Sequence, residues 1–489
     1  MVTSEAVPFA KTGGLADVAA ALPIELTRLG HDVRLVLPRY RPPGVKDGYV
    51  GFRKWRELSV PTAAGNLAVS VEQGQLHAQS SSLSLPVYAI AHDPFFARPG
   101  LYGEKGSDYP DNLDRFALLS RATMELTAVL GADGWTPQVL HAHDWETSLC
   151  AIYQRTLYAG VKPLQKVRTL LTIHNLGYQG IFPGSEYGKT GLPGDHFTPA
   201  GLEFYGSLNL LKGGLVYSDF LTTVSPTYAK EIQETQQGFG LEGVIRERRD
   251  RLVGVVNGID TEIWNPGADP YLPATFSVSD LSGKRACKAA LQQELGIPVR
   301  DVPLIGMVSR LTSQKGLDLV AAIFPDLMVR DLQVVLLGTG DPASEALFQS
   351  FRLRHQDKVG LRIGFDEGLA HRIEAGADLF LMPSRYEPCG LSQLYSLRYG
   401  TVPVVRRTGG LADTVVPYGP QTIQDRRATG FGFDDATPQA LLAAVLLALR
   451  VYGNKSEWEI LREAGMRTDV SGSKTARSYE EIYHRMVGL

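Results

Sequence analysis

Short β-branched and apolar runs recur between longer stretches of helical period, and this alternation restricts the chain more than any other feature. The first half carries VRLVLP (33–38), LPVYAIA (85–91), QVLHAH (138–143), VRTLLTIH (167–174), FLTTVS (220–225) and LVGVVN (252–257). The second half repeats the scheme with PLIGMVSR (303–310), LQVVLLG (332–338), VGLRIGF (359–365), LFLMPS (379–384) and TVPVVRR (401–407). Buried strands alternating with helices imply parallel sheets with crossover helices. The expectation is therefore two doubly wound, Rossmann-like α/β domains facing each other across a cleft. A stretch poor in periodicity and rich in Gly, Pro, Asn and Asp, NGIDTEIWNPGADPYLPATFS (257–277), separates the halves. Domains are accordingly read at 1–260 and 261–465, with a terminal helical segment, 466–489, packing back on the first. Ligands of such sheets sit outside the carboxyl ends of the strands, so the strand-to-helix turns are where chemistry is expected.

Two of those turns share a hexapeptide, TGGLAD, at 12–17 and again at 408–413. A Gly-Gly turn before a helix lets backbone N–H groups approach an anion or a sugar closely; it also serves as a tight connection with no ligand. Lys11 adds a cation to the first copy, an arrangement suited to a diphosphate. SRLTSQKG (309–316) brings Arg310 and Lys315 onto one connection, where two fixed cations would neutralise a leaving diphosphate without a metal ion. No DxD pair follows a strand and no His/Cys cluster has ligand spacing, so no metal and no cofactor are expected. HAHDWE (141–146) ends a strand, with His141 and His143 on one face by alternation. Each is either a hydrogen-bond partner of the reacting ring or a histidine that serves the fold. In SRYEPCGLSQLYSLRYG (384–400), Glu387 stands at a strand end, with the free helix-start N–H groups of Gly390 and Leu391 beside it. Cys389 in that turn reads as a packed residue.

A net charge of −3 provides no basic excess for nucleic acid or an anionic membrane. No apolar run approaches the length of a membrane span and no signal-peptide order opens the chain, which points to the cytoplasm. The three cysteines are far apart, without CxxC spacing, and are expected to stay reduced.

Taken together, KTGGLADV, HAHDWE, TIHNLGYQG, TVSPTYAKEI, VVNGIDTEIWNP, SRLTSQKGLDL, PSRYEPCGLSQL and RRTGGLADTV closely resemble the bacterial glycogen synthase and plant starch synthase family over about residues 3–485. The resemblance implies the GT-B fold. It also implies a retaining, metal-free transfer of glucose from ADP-glucose to the non-reducing-end 4-hydroxyl of an α-1,4-glucan such as glycogen. By that resemblance Lys11, Gly13 and Gly14 lie near the glucosyl diphosphate, His143 faces the reacting sugar, and Arg310 and Lys315 meet the diphosphate. Glu387 lies near the glucosyl 3- and 4-hydroxyls, while Cys389, Gly390, Leu391, Thr408, Gly409 and Gly410 lie by the phosphates and sugar. Tyr102, Asp111 and Asn112 in LYGEKGSDYPDN match a loop near the donor sugar or acceptor, and Asp17, Asn175 and Asn257 complete the substrate-binding set. Phe365 in IGFDEG replaces the family's adenine-stacking tyrosine, which keeps the ring and loses a hydroxyl. Family chains also carry more apolar residues before SEA, so a start at MVTSEA implies a weakened central strand. Other readings are a retaining transferase with another nucleotide sugar or product, such as sucrose or trehalose phosphate, and a catalytically silent glucan-binding module. A dehydrogenase is disfavoured because no GxGxxG follows the first strand.

Overall fold

The computed structural model describes residues 1–41, 48–79, 81–104 and 106–488, so Lys105 of the LYGEKGSDYPDN loop lies outside the described residues. The chain divides into two compact units, Met1–Asn257 with Gly472–Leu489, and Gly258–Ser471.

Strands of the first unit are β1 (Leu35–Pro38), β2 (Arg53–Thr62), β3 (Gly65–His77), β4 (Ser84–Ala91), β5 (Gly103–Glu104), β6 (Ser107–Asp108) and β7 (Val139–His143). They continue with β8 (Arg168–Ile173), β9 (Ile181–Pro183), β10 (Glu203–Phe204), β11 (Ser207–Asn209), β12 (Phe220–Thr223) and β13 (Leu252–Gly254). Pairing runs β2-β3-β4-β1 in one block and β7-β8-β12-β13 in another. Residues 1–3 join the blocks. Val2 bridges in parallel to both Val36 and Ala142, its N–H donates to His141 O at 2.9 Å, and Val36 N–H donates to Met1 O at 2.8 Å. Three residues thus occupy the central place that the sequence makes look short. The first-strand segment lies between β1 and β7, the chain winding first to one side and then to the other, so the ends of that segment and of β7 flank a topological switch point.

The second unit holds β14 (Leu304–Val308), β15 (Gln333–Gly338), β16 (Val359–Ile363), β17 (Leu379–Met382), β18 (Val402–Arg406) and β19 (Phe431–Phe433). Their order is β16-β15-β14-β17-β18-β19, and every neighbouring pair is parallel. Alternate residues face opposite sides of the pleat: Ile305, Val334, Leu336, Leu379 and Leu381 enter one core. Leu304, Val335, Leu337, Phe380 and Met382 enter the other. Burial on both faces is why these strands read as unbroken apolar runs rather than alternating ones. The switch point lies between β14 and β17, so the turns carrying Arg310 and Glu387 emerge side by side.

The terminal helix, Gly472–Val487, belongs to the first unit. It packs Ala476, Tyr479, Ile482 and Met486 against Leu22 and Leu26 of the Gly14–Arg28 helix and against Leu170 of β8. Tyr479 is fully buried. Truncating so large a core side chain costs about 3–5 kcal/mol through lost transfer energy and the cavity left behind. Tyr479→Ala should lower the first unit's stability by that amount, read as a shift of its urea unfolding midpoint against wild type.

Candidate active site

In the second unit the fold draws four sequence segments onto one strand edge. Gly316, at φ 67, lets the β14 turn close on β17, because a Cβ there would lie 2.1 Å from Pro383 O. This close approach carries Lys315 to Glu387, and its Nζ donates to Glu387 Oε2 at 2.7 Å. Ser384 Oγ donates to the same oxygen at 2.9 Å. Glu387 is buried while Lys315 is only partly so, which leaves the pair at the edge of solvent. Arg310 is exposed on the same connection.

The second TGGLAD turn rests directly on the Glu387 turn. Gly410 N–H donates to Glu387 O at 3.1 Å and to Pro388 O at 3.0 Å. A Cβ at Gly409 would sit 1.9 Å from Glu387 O, and one at Gly410 would sit 2.2 Å from Cys389 O. Both glycines are therefore demanded by backbone contact, whatever their part in ligand binding. Thr408 caps this turn in extended backbone. Cys389 is buried. Gly390 adopts φ 73 and leads through Leu391 into the Ser392–Arg398 helix. Gln393 braces the turn: its Nε2 donates to Cys389 O and Gly390 O, each at 3.0 Å. At the neighbouring strand end, Phe365 is 77% exposed after β16. The following Asp366 caps the next helix, its Oδ1 accepting Leu369 N–H at 2.8 Å.

In the first unit the residues after the central segment form a second cluster. Glu5, which no motif singles out, is its hub. Glu5 Oε1 accepts from Tyr102 OH at 2.5 Å and from Thr12 Oγ1 at 2.6 Å, and Oε2 accepts from Thr12 N–H. The KTGG turn is thereby tied to the Tyr102 loop. Lys11 Nζ pairs with Asp17 at 2.8 Å across the first turn of the Gly14–Arg28 helix. Gly13 caps that helix in extended backbone, and a Cβ there would meet nothing within 4 Å. Asp111 is held by Arg98 Nη1 at 2.7 Å, and that guanidinium keeps its carboxyl below the usual range. Asn112 is buried, donating to Tyr102 O at 2.9 Å and accepting from Arg115 at 2.6 Å. Asn112 thus braces the Tyr102 loop from behind, while Asp111 is anchored to Arg98.

The two histidines of HAHDWE separate cleanly. His141 uses both ring nitrogens within the fold, Nδ1 with Tyr483 OH at 2.8 Å and Nε2 with Thr172 Oγ1 at 2.6 Å. His143 engages His174 Nε2 through Nδ1 at 2.9 Å and leaves its buried Nε2 without a partner. Burial holds both rings neutral, far below their ordinary pKa. Asp144, at φ 56, accepts His174 N–H at 2.6 Å, and loss of solvent raises its carboxyl to about 7. Asn175 turns the next loop, its Oδ1 accepting Gly177 N–H at 3.0 Å. Asn257 is buried with an unpartnered Oδ1. Among the described residues no group of three or more His, Cys, Asp and Glu has metal-site geometry.

His174 offers a check on this environment. Burial lowers its pKa to about 3. An unfolded histidine takes up its proton near 6.5, so between about 6.5 and 3 the unfolded chain binds one proton more than the folded one at this position. Folding stability is therefore lost at this position as pH falls through that window. His174→Gln should flatten the stability profile there by about 1.4 kcal/mol per pH unit, measured as unfolding free energy of both proteins at matched pH.

Two family descriptions cover the chain, a starch synthase catalytic domain over residues 1–247 and glycosyl transferases group 1 over residues 290–459. Glycogen synthase of Anaeromyxobacter dehalogenans (strain 2CP-C) is 49% identical, covering 99% of this chain and 98% of its own. The catalytic domain of starch synthase IV from Arabidopsis thaliana, solved with ADP and acarbose, superposes with a TM-score of 0.89 at 36% identity, covering 100% and 99% of the two chains. Sucrose-phosphate synthase from Thermosynechococcus elongatus, with a TM-score of 0.59 at 16% identity over 100% and 98% of the chains, shares the fold. Two Rossmann-like units, together with near-complete coverage by these relatives, establish that the chain belongs to the bacterial glycogen synthase and starch synthase family of GT-B glycosyltransferases.

Proposed function

We propose that this enzyme transfers glucose from ADP-glucose to the non-reducing-end 4-hydroxyl of an α-1,4-glucan such as glycogen, with retention and without a metal ion or other cofactor. The observation that carries the reading is the Lys315–Glu387–Ser384 constellation at the switch point of a glycosyltransferase domain. In this reading Arg310 and Lys315 stabilise the diphosphate as the bond from glucose C1 to its oxygen breaks. Glu387 accepts from the glucosyl 3- and 4-hydroxyls, and its bond to Lys315 fixes its direction. The acceptor hydroxyl forms the new bond on the face the phosphate leaves, and its proton passes to a departing phosphate oxygen. Phe365 stacks on the adenine, and Gly390, Leu391 and Thr408 line the phosphates and sugar. Lys11, Gly13 and Gly14 act on the glucosyl diphosphate, which the open space at Gly13 supports, and Asp17 contributes to the substrate site by orienting the Lys11 ammonium. His143 Nε2 and Asn257 Oδ1, which the fold leaves unpaired, are the polar atoms kept for sugar hydroxyls. Tyr102, Asp111 and Asn175 contribute from their loops, while Asn112 acts by bracing Tyr102. The cytoplasm is the proposed location, and among the described residues no helix is long and apolar enough to cross a membrane.

The test is a donor comparison. Purified protein is incubated with glycogen and radiolabelled ADP-glucose or UDP-glucose, in the presence of EDTA. Faster incorporation from ADP-glucose into chains that β-amylase digests supports the reading. A preference for UDP-glucose, a product resistant to β-amylase, or abolition by EDTA contradicts it.

A further inference from the structure

At the amino ends of β8, β12 and β13, opposite the histidine end of the first unit, five arginines collect around one carboxylate. Arg168 opens β8, Asp219 immediately precedes β12, and the run IRERRDR (245–251) leads directly into β13. Asp219 Oδ1 accepts from Arg155 Nη2 at 2.8 Å and from Arg168 Nη1 at 3.5 Å, while its backbone O accepts from Arg251 Nη1 at 3.3 Å. Its other carboxylate oxygen accepts from Thr169 N–H at 2.8 Å and Thr169 Oγ1 at 3.0 Å. Arg248 donates to Val216 O at 2.8 Å and to Ser218 O. Arg485 of the terminal helix and Arg251 share the Phe220 ring, with their guanidinium carbons 5.4 and 5.6 Å from its centroid.

The charges do not balance. Among the described residues Asp219 is the only carboxylate paired with any of the five guanidiniums. Arg155 and Arg485 lie in the last turns of their helices, and Arg248 binds carbonyls that end the Leu210–Tyr217 helix. A helix end carries about half a negative charge, so three of them with Asp219 leave roughly two to three positive charges unmatched. The bonds to carbonyls hold the guanidiniums in place and neutralise none of them. Crowding shows at Arg248, where burial first, and then the Arg251 and Arg155 cations, lower its pKa; its buried Nε has no partner. Arg155 and Arg168, with side chains 46% and 56% exposed, reach solvent, as do Arg251 and Arg485. In a chain of net charge −3 this edge is a local exception.

We infer that this edge binds a small anion carrying two or more phosphate groups. A phosphate group carries about −1.5 to −2 charges near pH 7, so one falls short of the excess and two cover it. Guanidinium forks held at fixed positions take phosphate oxygens in pairs. A long nucleic-acid backbone is disfavoured, because beyond this edge the chain has no basic excess to meet it. The site is separate from the proposed chemistry, since Arg168 precedes His174 by six residues of β8, roughly 20 Å at about 3.3 Å per residue.

The test is isothermal titration calorimetry of sodium tripolyphosphate into the full-length protein at physiological ionic strength, with excess ADP to fill the nucleotide site. Wild type should bind one tripolyphosphate per chain. The double substitution Arg155→Gln with Arg251→Gln should weaken binding about tenfold or more, through loss of two charge-assisted contacts. Arg485 makes no hydrogen bond to the fold among the described residues, so Arg485→Gln tests charge alone. It should weaken binding about three- to fivefold with an unchanged thermal melt. The kcat and KM for ADP-glucose should be the same in all of these proteins. Absence of binding to wild type, or equal binding by wild type and Arg485→Gln, overturns the inference even if the double variant fails to fold. Sulfate binding as tightly as tripolyphosphate reduces the edge to unselective charge and overturns it too. An oligoglutamate peptide that binds equally tightly assigns the edge to an acidic protein partner instead.

Discussion

Glu387→Ala is expected to lower kcat for glucan elongation by about 10²–10³-fold, the scale seen when one preorganised polar contact to a transition state is removed. The expectation follows from how this carboxylate is held. It is buried at the end of β17, and one of its oxygens takes both Lys315 Nζ and Ser384 Oγ, so its orientation is set before any sugar arrives. A group fixed in this way contributes through position, and a water molecule filling the gap does not restore that. The fold should survive, because Lys315 reaches solvent and is rehydrated when its partner is lost. Steady-state kinetics beside a thermal melt separate the two effects. A loss of less than about fivefold in kcat with an intact melt would remove Glu387 from the chemistry.

The second large effect concerns charge. Arg310→Ala and Lys315→Ala should each reduce kcat/KM for ADP-glucose by about 10²–10³-fold, since a departing diphosphate gains negative charge that each cation stabilises. Arg310→Lys should restore only part of the loss, because an ammonium lacks the guanidinium's paired donors. In the proposed mechanism Lys315 serves both the phosphate and Glu387, and their 2.7 Å contact couples the two residues. The combined Lys315→Ala and Glu387→Ala variant should accordingly be impaired by clearly less than the product of the single losses. Strict multiplicativity would mean that the 2.7 Å contact between them has no catalytic consequence.

Much of this arrangement was legible in the sequence because it is local. LFLMPS and PLIGMVSR announce strands by composition, and the turns that follow carry Arg310, Lys315 and Glu387 within a few residues of the strand ends. The reading of two doubly wound domains holds for the same reason, since the parallel strands of both sheets are buried on two faces and read as continuous apolar runs. What escaped is what depends on distant parts of the chain. Glu5 looks like any glutamate until Tyr102, 97 positions later, donates to it. The roles of His141 and His143 are indistinguishable by alternation, and are told apart by Tyr483 on the terminal helix, 342 positions away. Asp111 and Asn112 read as ligand contacts in their motif, and only the fold shows that their side chains also meet Arg98 and Arg115. The antiparallel β2–β3 hairpin lies outside the strand-helix alternation and was not anticipated.

The central claim is that the β14–β17 switch point of the second unit holds a sugar nucleotide by fixed cations and one carboxylate. A crystal structure of the protein with ADP-glucose tests it most directly. Diphosphate oxygens are expected within about 3 Å of the Arg310 guanidinium and Lys315 Nζ, with glucosyl hydroxyls on Glu387. Nucleotide bound elsewhere in the chain, with those three side chains facing only solvent, would contradict it.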